Sequence, residues 1–215
     1  MTCLWPLRGG LGLSGSRMTR AHDRRKAGHC EILGETYAKF EFFENGWNPY
    51  SRFLDVDKVD LILRRNDSGR VVYREVQVKY GKLFECKPKW ERMLFDFTTW
   101  RFFDEDDFAD HVGRKDFFVA YVVAPDAGPN GQIQYQGDIF IFPVGAFVES
   151  IRCAPSTARG KRRVCISRLR NDPGRWFLRR TYRRFDAVTG ETCLEVSQYR
   201  RNFGVLLHEQ NPGSV

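Results

Sequence analysis

Two runs of strand-type residues, 58–65 (KVDLILRR) and 70–80 (RVVYREVQVKY), stand either side of Asn66-Asp67-Ser68-Gly69. Strand, polar turn and strand at that spacing predict an antiparallel hairpin. Val71, Val72, Val76 and Val78 supply the β-branched content of a central strand. A hairpin of this kind needs cover on its faces, and the rest of the chain offers it. Residues 31–45 place Ile32, Leu33, Tyr37, Phe40 and Phe43 at helical spacing, with Gly46 as a stop. Residues 47–54 read as an edge strand limited by Pro49. Residues 90–112 read as a helix, irregular at Thr98-Thr99. The continuous apolar run 116–124 (DFFVAYVVA) has strand length and predicts a strand buried on both faces. A loop over 125–131, a short strand at 137–142 and a helix over 144–151 follow. Beyond a polar linker at 154–163, strands at 164–170 and 175–184 flank a second turn, and 191–203 reads as a closing helix. The predicted class is α/β, a mixed sheet flanked by helices, with a basic C-terminal extension.

The expected organisation has three parts. Residues 1–27 are a disordered or mis-called N-terminal extension, with Met18 as the expected true start. Residues 28–153 form the core, and 154–215 form a basic extension packed on it. Cys3, Cys30, Cys86, Cys153, Cys165 and Cys193 form no CxxC pair and fit no zinc template, so they are expected to be reduced thiols. No apolar run is long enough to span a bilayer, so no membrane partner is expected. The expected location is cytoplasmic or nucleoid-associated.

The chemistry-bearing feature is polarity where a buried strand should be apolar. Glu75, Gln77 and Lys79 alternate along 70–80 and share one face, while Val76 and Val78 point to the other. On the neighbouring strand Asp60 sits between Val59 and Leu61. A carboxylate, an amide and an ammonium together on a sheet face are costly unless they pair or bind something. Asp60 and Gln77 suit a hard divalent cation, Mg²⁺ or Mn²⁺, and Lys79 suits the negative charge that develops on a phosphoryl group.

An acid after a hydrophobic residue on one strand, then Gln/Asp/Glu-x-Lys on its hairpin partner, resembles the PD-(D/E)XK nuclease superfamily. Here it reads Val59-Asp60-Leu61-Ile62 followed by Gln77-Val78-Lys79-Tyr80. Gly34-Glu35 followed by Tyr37-Ala38 is similar to the helix glutamate of archaeal Holliday-junction resolvases, and Gln-Val-Lys-Tyr is similar to the variant of group I intron homing endonucleases. The resemblance covers about residues 31–142. It implies a restriction-endonuclease-like core that hydrolyses nucleic acid, DNA first. Lys79, Asp60, Gln77 and Glu35 would be catalytic, and Asp60 and Gln77 metal ligands, joined by Glu35 or Glu75. Homodimers are common in this fold. The departure is Gln77, where most members carry an acid. A neutral amide is the weaker ligand, so a catalytically silent nucleic-acid-binding module of the same fold stands as the alternative. A protein-interaction module is the further one.

The formal net charge of +8 favours a polyanionic partner. Residues 159–184 hold eleven Lys and Arg against one acid, Asp172. Arg179, Arg180, Arg183 and Arg184, interleaved with Trp176 and Tyr182, are the expected nucleic-acid contacts. The aromatic stretch 90–103 is expected to be core, with a base-stacking platform as the alternative.

Overall fold

The computed structural model describes residues 15–51, 58–125 and 137–207, with side chains from residue 30 onward. Residues 1–14, residues 52–54 of the expected first strand and most of the expected 125–131 loop lie outside these. The first helix, α1, runs Gly15–Glu44. It begins inside the segment expected to be disordered. Arg, Ala, Lys and Met dominate residues 17–27 and no proline interrupts them, so local propensity carries the helix back from its packed half.

The hairpin forms as expected. Strand β1 is Asn48–Ser51, β2 is Leu61–Asp67 and β3 is Arg70–Glu85. The turn tightens to Ser68-Gly69, both at positive φ (51° and 88°), the conformation that suits a two-residue hairpin loop. The expected helix over 90–112 is a correction. Only α2, Lys89–Leu94, is helical there, and Phe95–Phe103 is strand β4, followed by a 3-10 turn, Glu105–His111. The reason is period two. Thr99 and Phe103 are buried while Trp100 and Phe102 are exposed, and Thr98 and Thr99 are β-branched.

Strands β5 (Phe117–Pro125) and β6 (Asp138–Pro143) precede helix α3 (Val144–Arg152). Then come β7 (Arg162–Leu169), β8 (Trp176–Arg179) and β9 (Cys193–Glu195). The expected closing helix over 191–203 is instead β9 and a 3-10 turn, Ser197–Tyr199, because Cys193–Glu195 finds an open edge on β8. Among the described residues nine strands make one sheet, so the mixed α/β class holds. The C-terminal strands do not lie on the core as a separate layer; they continue its sheet through β4.

Every residue of β5 except Pro125 is buried, as expected of a strand covered on both faces. One face packs Val119, Tyr121 and Val123 with Phe147 and Ile151 of α3. The other packs Phe118, Ala120 and Val122 with Tyr37, Ala38 and Phe42 of α1 and with Phe203 and Leu206. Cys30, Cys86, Cys153, Cys165 and Cys193 are free thiols. Among the described residues no helix is long and apolar enough to cross a membrane.

Candidate functional site

The site arises where β3 changes partners. One edge of β3 pairs with parallel β5 from Glu75 to Leu83. The other edge pairs with β2 only as far as Leu61↔Val76, and with β4 only from Leu83↔Thr99 onward. Between these rungs the sheet forks, and among the described residues no strand pairs with 77–82 of β3 on that edge. Backbone groups left there need partners. Val78 N–H donates to Asp60 Oδ2 at 2.6 Å, and the Tyr80 carbonyl accepts from Arg101 Nη1 at 2.9 Å. A carboxylate from below the fork and a guanidinium from β4 thus replace missing rungs of the ladder.

The same fork collects the chemistry. Glu31, Glu35, Asp60, Gln77, Val78, Lys79, Tyr80 and Arg101 line one cavity of about 190 Å³. Asp60 is fixed by its flanks: Val59 and Leu61 are buried in hydrophobic clusters on opposite faces of the sheet, so the chain crosses the sheet at Asp60 instead of alternating through it. Asp60 N–H donates to the Val76 carbonyl at 3.0 Å, so continuing the register by one step sets Asp60 opposite Gln77. Lys58, in the left-handed region (φ 55°), turns the chain into that position and is ion-paired with Asp107 at 2.8 Å. Gly34 lets α1 lie on β3, since a Cβ there would stand 2.9 Å from Tyr80 Cβ. That contact brings Glu35 and Glu31 over the cleft.

Gln77 is 3% exposed, and its Oε1 has no hydrogen-bond partner among the described residues. Leaving a buried carbonyl oxygen unsatisfied costs about 1–3 kcal/mol. Burial pushes the Lys79 ammonium below the usual lysine range; Asp60 pulls the other way and the Arg101 charge adds to the lowering. Among the described residues no three His, Cys, Asp or Glu side chains are grouped to hold a metal. A cation in this cleft therefore needs the Gln77 oxygen beside the carboxylates. An orphaned oxygen opposite a carboxylate fits that need.

Of the expected site, Glu35, Asp60, Gln77 and Lys79 come together. Glu75 does not: Arg114 Nη1 donates to its Oε2 at 2.9 Å, and it is no part of the cavity lining. Glu31 and Arg101 were not foreseen. Glu31 was legible as a second acid one helical turn before Glu35. Arg101 was hidden by reading its strand as a helix.

The expected nucleic-acid contacts divide. Trp176 (2% exposed) is core, packed against Phe140. Arg179 (6% exposed) is buried, its guanidinium donating to Glu91 Oε1 at 2.8 Å and Ser167 Oγ at 2.9 Å. Both are corrections, and the cause is that Trp176–Arg179 is a sheet strand buried at all four positions. Arg180, Arg183, Arg184 and Tyr182 are exposed. Arg184 bonds Asp186, and Tyr182 Oη donates to the carbonyls of Pro155 and Arg163 at 3.1 and 3.2 Å.

No protein-family model and no curated protein matches the chain. A solved structure, that of the bacterial homing endonuclease I-Ssp6803I, is similar over 82% of this chain and 88% of that one. The identity is 12% and the TM-score 0.39.

Proposed function

We propose that this chain is a metal-dependent endonuclease that hydrolyses phosphodiester bonds of nucleic acid, DNA first. The observation that carries the reading is the orphaned, buried Gln77 oxygen beside Asp60, in a cleft that also holds Glu35, Lys79 and Arg101. Asp60 and Gln77, with Glu35 from α1, would hold the divalent cation. Mg²⁺ or Mn²⁺, when bound, polarises the scissile phosphate and lowers the pKa of a water.

The chain's own groups do the rest. Lys79, whose lowering by burial Asp60 opposes, stabilises negative charge that builds on the phosphoryl oxygens. Arg101 spends one N–H on the Tyr80 carbonyl, which fixes its fork where a phosphate would enter. Burial of Gln77 at the floor of the cleft keeps bulk water from competing there.

The test is cleavage of plasmid and short duplex DNA with Mg²⁺ or Mn²⁺, against an EDTA control. Lys79→Ala is expected to lower the rate by about 100-fold or more while DNA binding persists, as for loss of a transition-state contact. Full cleavage by Lys79→Ala would sink the assignment. Tight binding in EDTA with no cleavage in either metal would select the silent module, the reading that an amide at position 77 favours.

A further inference from the structure

The cleft is one face of β4; the other face carries an unexplained surface. Trp100 and Phe102 flank Arg101 in sequence and point away from it. They are 44% and 46% exposed, their rings edge-to-face at 5.7 Å. Opposite Phe102 in the β4–β7 register stands Arg163. Its guanidinium lies between two rings, 5.3 Å from Trp100 and 5.0 Å from Tyr182. Tyr182 is 42% exposed, yet its hydroxyl is pinned to two backbone carbonyls, so the ring is held in place. Three exposed rings held around one arginine on a rigid sheet are an uncommon use of surface, since large apolar side chains cost free energy in water.

The position of this patch follows from register. Phe84 of β3 pairs with Thr98 of β4, so their side chains share a face, and Trp100 and Phe102 follow Thr98 at alternate positions. By the same alternation Phe84 shares its face with Val78 and Tyr80, which pack under α1. The ring patch is thus on the α1 side of the sheet, the side from which Glu31 and Glu35 reach the cleft. One strand, β4, joins patch and cleft through Trp100-Arg101-Phe102. Arg180, Arg183 and Arg184 are exposed on the segment that carries Tyr182.

Rings spaced among cations suit a strand with stackable bases and a charged backbone. A closed duplex offers its phosphates but hides its base faces. We propose that the α1-side face of β4 and β7 is a docking track for an unpaired stretch of DNA beside the cleft. Its bases stack on Trp100, Phe102 and Tyr182, and its phosphates lie against Arg163 and the neighbouring arginines. The substrate would then be a DNA that carries a single-stranded segment. This rests on the nuclease reading for the identity of the ligand, and adds a structural class of substrate to it.

The test uses the full chain in EDTA, so that binding is read without cleavage. Anisotropy titrations compare a labelled oligo-dT strand, an abasic strand of equal length and a duplex. Trp100→Ala and Phe102→Ala are each expected to weaken oligo-dT binding about tenfold. Binding of the abasic strand and the duplex should change less than about twofold, and the salt slope should stay the same because no cation is lost. Trp100→Phe should restore most of the affinity. The tryptophan emission that differs between wild type and Trp100→Phe should be quenched by oligo-dT and not by the abasic strand. Oligo-dT binding unchanged in both alanine variants overturns the proposal; so does an equal loss for all three ligands, which would mean a general fold defect or a phosphate-only surface. Duplex cleavage in Mg²⁺ alongside unchanged oligo-dT binding would remove the track and leave the nuclease. Ring-dependent oligo-dT binding without cleavage would do the reverse. A chain that binds none of the three ligands overturns both, and returns the patch to a protein partner.

Discussion

Asp60 has two jobs in the fork, and two substitutions separate them. Its carboxylate accepts the Val78 N–H at 2.6 Å, and its charge faces the Gln77 oxygen and Lys79. Asp60→Asn keeps an acceptor for Val78 but removes the charge. Asp60→Ala removes both. Val78 is 9% exposed and no strand among the described residues reaches that edge, so its N–H would be left unsatisfied at about 1–3 kcal/mol. The asparagine exchanges a charge-assisted bond for a neutral one, about 1 kcal/mol at most. It also removes a negative charge beside a buried ammonium, which recovers none of that cost. The expected order of metal-free stability is therefore wild type, then Asn, then Ala, with Ala lower than Asn by about 1–2 kcal/mol. Urea unfolding followed by circular dichroism measures it. Metal affinity, read by calorimetry with Mn²⁺, should fall about tenfold or more in both variants and to a similar degree. If Asp60→Ala is as stable as Asp60→Asn, the backbone bond does not hold the fork. If Asp60→Asn binds Mn²⁺ as wild type does, Asp60 is no ligand.

Three further outcomes follow from the same geometry. Gln77→Leu removes an unsatisfied buried oxygen and should raise metal-free stability by about 1 kcal/mol while abolishing Mn²⁺ binding; a loss of stability would mean the amide has a structural partner. Arg179→Ala leaves Glu91 and Ser167 without their donor and should cost about 2–4 kcal/mol in urea, whereas Arg183→Ala should change stability by less than about 0.5 kcal/mol and lower DNA affinity instead. Equal stability for the two would refute the buried reading of Arg179. Glu105 accepts from Arg162 at 2.7 Å and Arg152 at 3.0 Å, which hold its carboxyl below the usual glutamate value of 4.5. Its contribution is present above that value and is lost as pH falls through the lower folded one. Glu105→Gln should then cost about 1 kcal/mol at pH 7, discounted for solvent, with the gap to wild type closing in acid titrations; a gap that persists there counts against it.

The hairpin was legible from its strand–turn–strand spacing, the double-sided burial of β5 from its continuous apolar run, the shared face of Gln77 and Lys79 from alternation, and the joining of Glu35 and Asp60 to them from the motif they resemble. The fork was not. Nothing in residues 70–85 announces that β3 exchanges β2 for β4 midway; that depends on a strand whose aromatics were read as a helical stripe. Past the irregularity at Phe95/Phe97, Phe97, Thr99, Arg101 and Phe103 share one face and Trp100 and Phe102 the other, so a period-two count over 97–103 would have found both Arg101 and the exposed rings. Arginine enrichment at 159–184 pointed at the surface correctly for Arg180, Arg183 and Arg184. It failed for Arg179, since burial there is decided by pairing of β8 between β7 and β9. Composition cannot see which arginine lies under a neighbouring strand. Glu75 was misplaced because its partner, Arg114, is distant in sequence.

The continuation of the sheet from β4 into β7, β8 and β9 has a mechanical consequence. Arg101 stands on the strand that joins the two halves, so the wall of the cleft is braced by Arg162–Leu169, about sixty residues further along the chain. A chain ending at residue 153 would leave β4 with a bare edge eight residues long, from Phe95 to Phe103 less its bulge, open to pairing with any passing strand. The wall of the cleft is therefore expected to become stable only once Arg162–Leu169 has paired with β4. The protein should melt in one transition, with hydrogen exchange at Tyr80 and Arg101 slowing only once Arg162–Leu169 has docked.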